Sequence, residues 1–307
     1  MNQIILHHYP MSPFAEKIRL ILGFKNLHWS SVIIPNIMPK PDLTALTGGY
    51  RRTPVLQIGA DIYCDTALIA DVIEGHSPHP TLYPSGIAGA SRILAQWADS
   101  TLFWTAIPYT MQPEGLAKLF EGVPPEGIKA FGDDRALFRA NMPRMRPGDA
   151  IAAFNLYLER LEETLGKQAY FFGTAPSIAD FSIYHCLWFV TRGGPVAKIL
   201  ESFPALQSWR GRIAALGHAT HERLDSAEAI KIAHDAAPEK SSGNVDTHGI
   251  GIGDKVVVAA TDTGIDPIEG TLYGASKNRV SIERHDARAG TVVVHFPRLG
   301  FELRRVK

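Results

Sequence analysis

His8-Tyr9-Pro10-Met11-Ser12-Pro13-Phe14-Ala15-Glu16-Lys17-Ile18-Arg19 reads as the end of a strand, a sharp turn and the opening of a helix. Pro13 is the residue type favoured at a first helical position, and Ser12 before it is a preferred N-cap. Apolar residues at Phe14, Ile18, Leu20, Ile21 and Leu22 carry the helix to Leu22. Upstream, Ile4-Ile5-Leu6 is a short buried strand. Downstream, Trp29 to Ile34 is a second strand, and Pro41 to Leu46 a short helix ended by Gly48-Gly49. Arg51-Arg52-Thr53-Pro54-Val55-Leu56-Gln57-Ile58 then sets a proline directly before a third strand, and Gly59-Ala60-Asp61 turns it into Ile62-Tyr63 as a hairpin. Tyr63-Cys64-Asp65-Thr66-Ala67-Leu68 carries an acid and a hydroxyl onto the start of a helix that runs to Glu74. The order β-α-β-α-β-β-α predicts a mixed sheet covered by helices.

From about Ala88 the pattern is helical only. Ser91–Ser100 is amphipathic, and Ile151, Phe154, Leu158 and Leu161 recur at helical spacing. Pro113 to Pro147, rich in proline, glycine and charge, reads as a loop with one short helix at most. Ser177-Ile178-Ala179-Asp180 resembles a capping box with Asp in place of Glu or Gln. Ala236 to Asn244 has linker composition. After it the period switches to two, and five short strands in some sixty residues predict a small closed, SH3-like barrel. The expected organisation is therefore an α+β unit at 1–80, an all-α unit at 87–236, a linker at 237–248 and a small all-β barrel at 249–307. The barrel is expected as an appendage packed on the helical unit.

Composition narrows the function classes. Lysine plus arginine and aspartate plus glutamate both number 31, so no global field draws nucleic acid or an anionic membrane. The arginines of the last sixty residues are nearly balanced by acids, and Tyr273, Phe296 and Phe301 make a thin stacking platform, which argues against RNA. Two cysteines, Cys64 and Cys186, exclude a disulfide framework and fit a reducing compartment. No run of ~18 apolar residues predicts a membrane span, and the first residues lack a signal-peptide pattern. The expectation is a cytoplasmic protein.

A hydroxyl at one helix start, a backbone edge beside a proline and an anion cradle at a second helix start suit a small peptide thiol. An unperturbed thiol titrates near ~8.5. Lowering it by two units requires about 2.7 kcal/mol of preference for the thiolate. A hydroxyl donating to a charged acceptor supplies roughly 1.5–3 kcal/mol, and a helix N-terminus roughly 0.3–1 kcal/mol. Ser12 offers both at one point. With no Ser-His-Asp or Gly-x-Ser-x-Gly context in the sequence, the serine reads as a hydrogen-bond donor rather than a nucleophile. The plainer reading of Ser12 is an N-cap and nothing more.

Residues 1 to about 235 resemble a glutathione transferase. Ser12-Pro13-Phe14-Ala15 is similar to the Cys-Pro-Phe-Ala signature of the omega class, with serine in the catalytic position. Thr53-Pro54-Val55 resembles the family's cis-proline step, Asp65-Thr66 its Glu-Ser pair, and Ser177 to Asp180 its helical capping motif. The resemblance implies a thioredoxin-like N-terminal domain, an all-helical second domain, a homodimer and glutathione as co-substrate; no metal is expected, because His76, His79, His218 and His221 lack acidic or cysteine partners at ligand spacing. It implies Ser12 as the thiolate stabiliser, with Tyr9, or His8 beside it, as a competing donor because other classes carry a catalytic tyrosine there; the plainer reading of Tyr9 is a wall of the acceptor pocket or a core residue. Phe14, Arg52, Thr53, Pro54, Asp65 and Thr66 become the expected glutathione contacts, with Arg51 and Lys40 as further candidates for its glycyl carboxylate. Phe14, Phe103, Trp104 and Tyr109 would line a pocket for a small apolar electrophile. The implied activity is that of a glutathione transferase or peroxidase. The alternative is a non-catalytic binding protein that engages a protein partner through the C-terminal strands.

Overall fold

The computed structural model describes residues 3–139, 142, 145–241, 243 and 249–306. The chain begins with β1 (Ile5–His8), α1 (Pro13–Phe24), β2 (Trp29–Ile33), α2 (Pro41–Thr47), β3 (Val55–Ile58), β4 (Asp61–Cys64) and α3 (Thr66–His76). Helix α4 (Ala88–Trp97) passes through a π-helical segment (Ala98–Leu102) into α5 (Phe103–Thr110). Then come α6 (Pro113–Leu119), α7 (Pro125–Arg139), α8 (Pro147–Leu165), α9 (Ile178–Arg192), a 3-10 segment (Gly194–Ser202) and α10 (Pro204–Ala214). The chain closes with β5 (His221–Arg223), α11 (Ser226–Asp235), β6 (Lys255–Ala260), β7 (Ile268–Ala275), β8 (Arg279–Asp286), β9 (Gly290–Pro297) and β10 (Phe301–Arg305).

Helix α1 starts where the serine–proline pair predicts. Ser12 is its N-cap, with Oγ accepting from the Ala15 N–H at 3.2 Å and Pro13 opening the first turn. The helix is buried on nearly every side, so its charged residues must be paired. Arg19 meets Glu16 at 2.6 Å, and Lys17 meets Asp99 at 2.6 Å. β1 pairs parallel with β2 and antiparallel with β3, and β3 forms the expected hairpin with β4.

The sheet does not stop there. Its ten strands run β10-β6-β7-β8-β9-β4-β3-β1-β2-β5. The five C-terminal strands expected from the sequence are present, and β9 adds parallel to β4, pairing Asp61, Ile62 and Tyr63 with Val293, Val294 and His295. This corrects the expectation of an appendage on the helical unit: β4 would otherwise be an edge with unpaired backbone groups, and β9 satisfies them. The side chains agree. Val55, Ile62 and Val32 share one apolar core with Val256, Ile282, Val292 and Val294, all fully buried. At roughly 1.5–3 kcal/mol for each large aliphatic side chain buried, the strand-rich region is integral to the fold.

A polar clasp seals the joint. His295 bridges Asp61 Oδ1 (2.8 Å from Nε2) and Ser281 Oγ (2.8 Å from Nδ1), and Tyr63 stacks on its ring at 4.5 Å. Asp61 Oδ2 also accepts the Glu239 N–H at 2.8 Å. These three side chains form a Ser–His–Asp line, yet all are within 3% of full burial; the line is a clasp. The linker expected at 237–248 falls partly on residues 242 and 244–248, which lie outside the described residues. Its described part is tied to β4 through Glu239 and to β7 through Ser241, whose Oγ donates to the Tyr273 carbonyl.

Two further departures bear on the site. The stretch 113–147 holds α6 and α7 rather than a loop, because Pro113 and Pro125 each open a helix instead of breaking one. Strand β5 pairs parallel with β2, and α11 packs on α2 and β9, so residues 221–235 sit against the sheet rather than among the helices.

Two adjacent histidines in β1 are held neutral. His7 faces Gln57 Oε1 at 2.8 Å, and burial lowers its pKa to about 4 against that hydrogen bond. His8 accepts from Arg19 at Nδ1 (3.0 Å); burial first and the Arg19 charge second lower its pKa to about 3. In the unfolded chain both titrate near ~6.5. As pH falls below that value the unfolded state takes up protons that the folded state refuses, so stability present above pH ~6.5 drains away. By pH 4 the loss is about 3 kcal/mol for each histidine, at 1.36 kcal/mol per pH unit. Urea unfolding between pH 4 and 7.5 should show this slope, and His7→Asn should flatten it. An unchanged slope in that variant would place the acid sensitivity elsewhere.

Candidate functional site

The site is built where α1 and α3 begin beside the segment that leads into β3. Ser12 is 1% exposed and accepts the Ala15 N–H, a bond that does not use its own hydroxyl proton. The Tyr9 hydroxyl lies beside the side chains of Ser12 and Arg135, which both favour its ionised form. Burial raises the Tyr9 pKa above its ordinary value, with Arg135 opposing. The phenol is therefore protonated at neutral pH and stands as a second donor beside the serine. Sequence reasoning treated these two residues as rivals; the fold puts them in contact.

Asp65 caps α3, its Oδ1 accepting the Ala67 N–H at 2.9 Å. Its φ of +76° and ψ of 136° place it in a region that glycine usually occupies. Backbone strain of this kind costs roughly 1–3 kcal/mol and persists where surrounding contacts enforce it, often at functional sites. Burial raises the Asp65 carboxyl, with Arg52 as the leading opposing charge, 3.5 Å away through Nη1. Thr66 follows as the first helical residue and accepts from Lys17 Nζ at 3.2 Å. The bond from Lys17 leaves the Thr66 hydroxyl proton unused at the N-terminus of α3, an end that carries partial positive charge.

The Thr53–Pro54 peptide is cis. Thr53 Oγ1 accepts from Lys40 Nζ at 3.1 Å, and the Lys40 ammonium lies 5.9 Å from the centre of the Tyr9 ring. Burial, followed by the Arg135 charge, lowers Lys40 to about 8. Arg52 turns away from open solvent toward Thr263, Asp262 and Asp65, and Arg51 meets Asp134 of α7 at 2.8 Å.

The aromatic residues divide. Phe14 packs on Phe103 at 4.7 Å, and Phe103 on Trp104 at 5.1 Å, so these three cluster at the junction of α1 and α5. Tyr109 does not join them: its ring packs on Phe154 of α8 and its hydroxyl donates to the Val196 carbonyl. Cys64 is fully buried and burial pushes its thiol well up, which suits a core residue. Among the described residues no group of three His, Cys, Asp or Glu side chains stands at metal-binding spacing.

Sequence reasoning missed a buried charged relay beneath the site. Lys17 Nζ meets Asp99 Oδ2 at 2.6 Å, and Asp99 Oδ1 meets His185 Nε2 at 2.9 Å, with Phe14 packed on the His185 ring at 4.5 Å. Burial works against the Asp99 charge, but Lys17 and the His185 hydrogen bond together hold its carboxyl below the ordinary range. The signal was a lysine on the apolar side of α1, between Phe14 and Ile21.

Residues 6–81 match the family model of the glutathione S-transferase N-terminal domain, and residues 134–212 that of the C-terminal domain. The crystal structure of a GST-like protein from Pseudomonas syringae is 43% identical and covers 100% of both chains, with a TM-score of 0.83. The chain belongs to the glutathione S-transferase family. Another glutathione S-transferase, from Rhodospirillum rubrum F11, shares the fold over 69% of this chain and 88% of its own, at 19% identity and a TM-score of 0.53. FtsZ-localized protein A of Caulobacter vibrioides (strain NA1000 / CB15N) is 24% identical over 210 residues, which is 66% of this chain and 83% of that protein. The strands β6–β10 lie beyond both glutathione S-transferase domain models, and the Pseudomonas protein aligns along their whole length.

Proposed function

We propose that this chain binds glutathione and that Ser12 holds the bound thiol as thiolate for attack on a small apolar electrophile or a hydroperoxide. The observation that carries the reading is the Ser12 hydroxyl: buried at a helix N-terminus, accepting the Ala15 N–H while its own O–H remains a donor beside Tyr9. The peptide's γ-glutamyl carboxylate would meet Thr66 and the start of α3, with Asp65 near the ammonium. Its backbone would pair with Thr53, and its glycyl carboxylate would meet Arg52. In conjugation the thiolate sulfur forms a bond to carbon, and the leaving group departs with the bonding electron pair. With a hydroperoxide the sulfur attacks oxygen, the O–O bond breaks and the alcohol leaves after taking a proton. A second glutathione then converts the sulfenic acid to glutathione disulfide and water. Serine disfavours the thiol–disulfide exchange of cysteine-type relatives, because no mixed disulfide forms on a hydroxyl. A cytoplasmic homodimer is part of the same reading, from the two buried free thiols and the family resemblance.

One observation favours a second reading. Arg52 is already engaged by the chain's own Asp262 and Thr263, and one relative takes its name from localisation with FtsZ. A non-catalytic protein that uses β6–β10 to engage a protein partner would not need a free Arg52. Calorimetry with glutathione, followed by turnover against haloaromatic and hydroperoxide substrates, separates the two. Binding with turnover supports the transferase; no binding at millimolar glutathione supports the partner-binding protein.

A further inference from the structure

The loop between β6 and β7, residues 261–267, leaves the C-terminal strands and lies across the segment that precedes β3. Its base is fixed by Thr261, whose N–H and hydroxyl both donate to the Gly300 carbonyl at 3.0 and 3.3 Å. Beyond that, Arg52 donates from Nε and Nη2 to the Thr263 carbonyl at 3.1 and 2.7 Å, and Nη2 also pairs with the Asp262 carboxylate. Arg51 faces Asp266 at 3.6 Å while holding Asp134 of α7. Gly264 donates its N–H to the Phe138 carbonyl near the end of α7 at 2.7 Å. A Cβ at Gly264, whose φ is +55°, would lie 2.8 Å from the Phe138 ring, so only glycine lets loop and helix meet this closely. Thr263 is 4% exposed, while Asp262 and Asp266 on either side are exposed.

Two adjacent arginines beside the cis-proline edge thus each face a carboxylate from one loop. Phe301 of β10 packs against the Arg52 guanidinium at 5.4 Å and backs it toward that loop. Nothing about joining β9 to β4 requires these contacts; they lie at the opposite end of the C-terminal strand order.

We propose that the 261–267 loop is an intramolecular pseudo-ligand, its Asp262 carboxylate standing on Arg52 where a peptide ligand's terminal carboxylate would pair. This rests on the glutathione reading above. Glutathione then binds only by displacing Asp262 from Arg52, and the C-terminal strands govern access to the site. Anything that draws the loop away raises the site's affinity.

The test uses S-methylglutathione, which keeps the peptide and both carboxylates but has no ionisable thiol, so its binding is independent of thiolate stabilisation. Affinity is measured by calorimetry on the full chain for wild type, Asp262→Ala and Asp262→Glu, with melting temperatures checked to match. The expected result is at least a tenfold tighter Kd for Asp262→Ala, with Asp262→Glu remaining weak like the wild type. Equal or weaker binding by Asp262→Ala overturns the pseudo-ligand and leaves the glutathione reading intact. Absence of binding by all three proteins overturns both.

Discussion

Asp180→Ala should destabilise the protein by about 3–5 kcal/mol, the range for breaking a buried charged network. One carboxylate accepts four hydrogen bonds. Oδ2 takes the Ser177 N–H at 2.8 Å and the Ser177 hydroxyl at 3.0 Å; Oδ1 takes the Phe171 N–H at 3.1 Å and Trp209 Nε1 at 2.9 Å. Asp180, Ser177 and Trp209 are all fully buried. Alanine leaves these donors without an acceptor where water cannot replace it, at roughly 1–3 kcal/mol for each that fails to find another. It also removes the interaction that fixes the start of α9, the central helix of the helical unit. At roughly 2–4 °C per kcal/mol for a chain of this size, melting should fall by about 10 °C. Asp180→Asn, which keeps one carbonyl acceptor, should fall between. A loss below about 1 kcal/mol for the alanine variant would mean that the four donors find other partners.

Lys17→Met should cost about 3 kcal/mol, the low end for removing one partner of a buried ion pair. Lys17 is completely buried, but Asp99 keeps 20% side-chain exposure and some of its solvation. Methionine fills the same volume and strands the Asp99 carboxylate against His185 alone. At present burial lowers the His185 pKa despite Asp99. With the ammonium gone, the carboxylate acts on the imidazole undivided, and the folded-state pKa of His185 rises. Folding then binds a proton more readily, so the variant regains stability as pH falls through the histidine range. The deficit against wild type should be smaller at pH 5.5 than at pH 8. Adding Asp99→Asn to Lys17→Met should recover part of the loss, which a double-mutant cycle reads directly. Additive losses at both pH values would show that the two residues are not coupled.

Much of the fold is legible in the sequence because local chemistry marks it. The serine–proline pair at residues 12 and 13 opens α1, Gly48 ends α2 in a left-handed conformation, and Gly59 turns the β3–β4 hairpin. The joint between β4 and β9 has no such mark. Each strand reads as an ordinary apolar run, and nothing local tells Ile62 that its neighbour lies more than two hundred residues away. Helix α7 was hidden for a different reason: Gly127 and Gly132 weaken its propensity, and it fully buries none of its residues, so no apolar stripe stands out. The site divides the same way. Ser12, Asp65 and Thr66 are visible because helix starts have a chemical signature. Lys17, Asp99 and His185 come from three separate helical segments, and Arg52's contacts come from a loop of the C-terminal strands; both depend on tertiary placement.

The most direct test of the central claim is the titration of the glutathione thiol while bound, followed by thiolate absorbance from pH 5 to 9 in the wild type and in Ser12→Ala. A lone hydroxyl donor to a charged acceptor contributes roughly 1.5–3 kcal/mol, or about one to two pKa units. The bound thiol in the wild type should therefore titrate one to two units below the free value, and in Ser12→Ala the shift should largely vanish while the peptide still binds. A bound thiol with the same depressed pKa in both proteins would contradict the account and move the donor role to Tyr9.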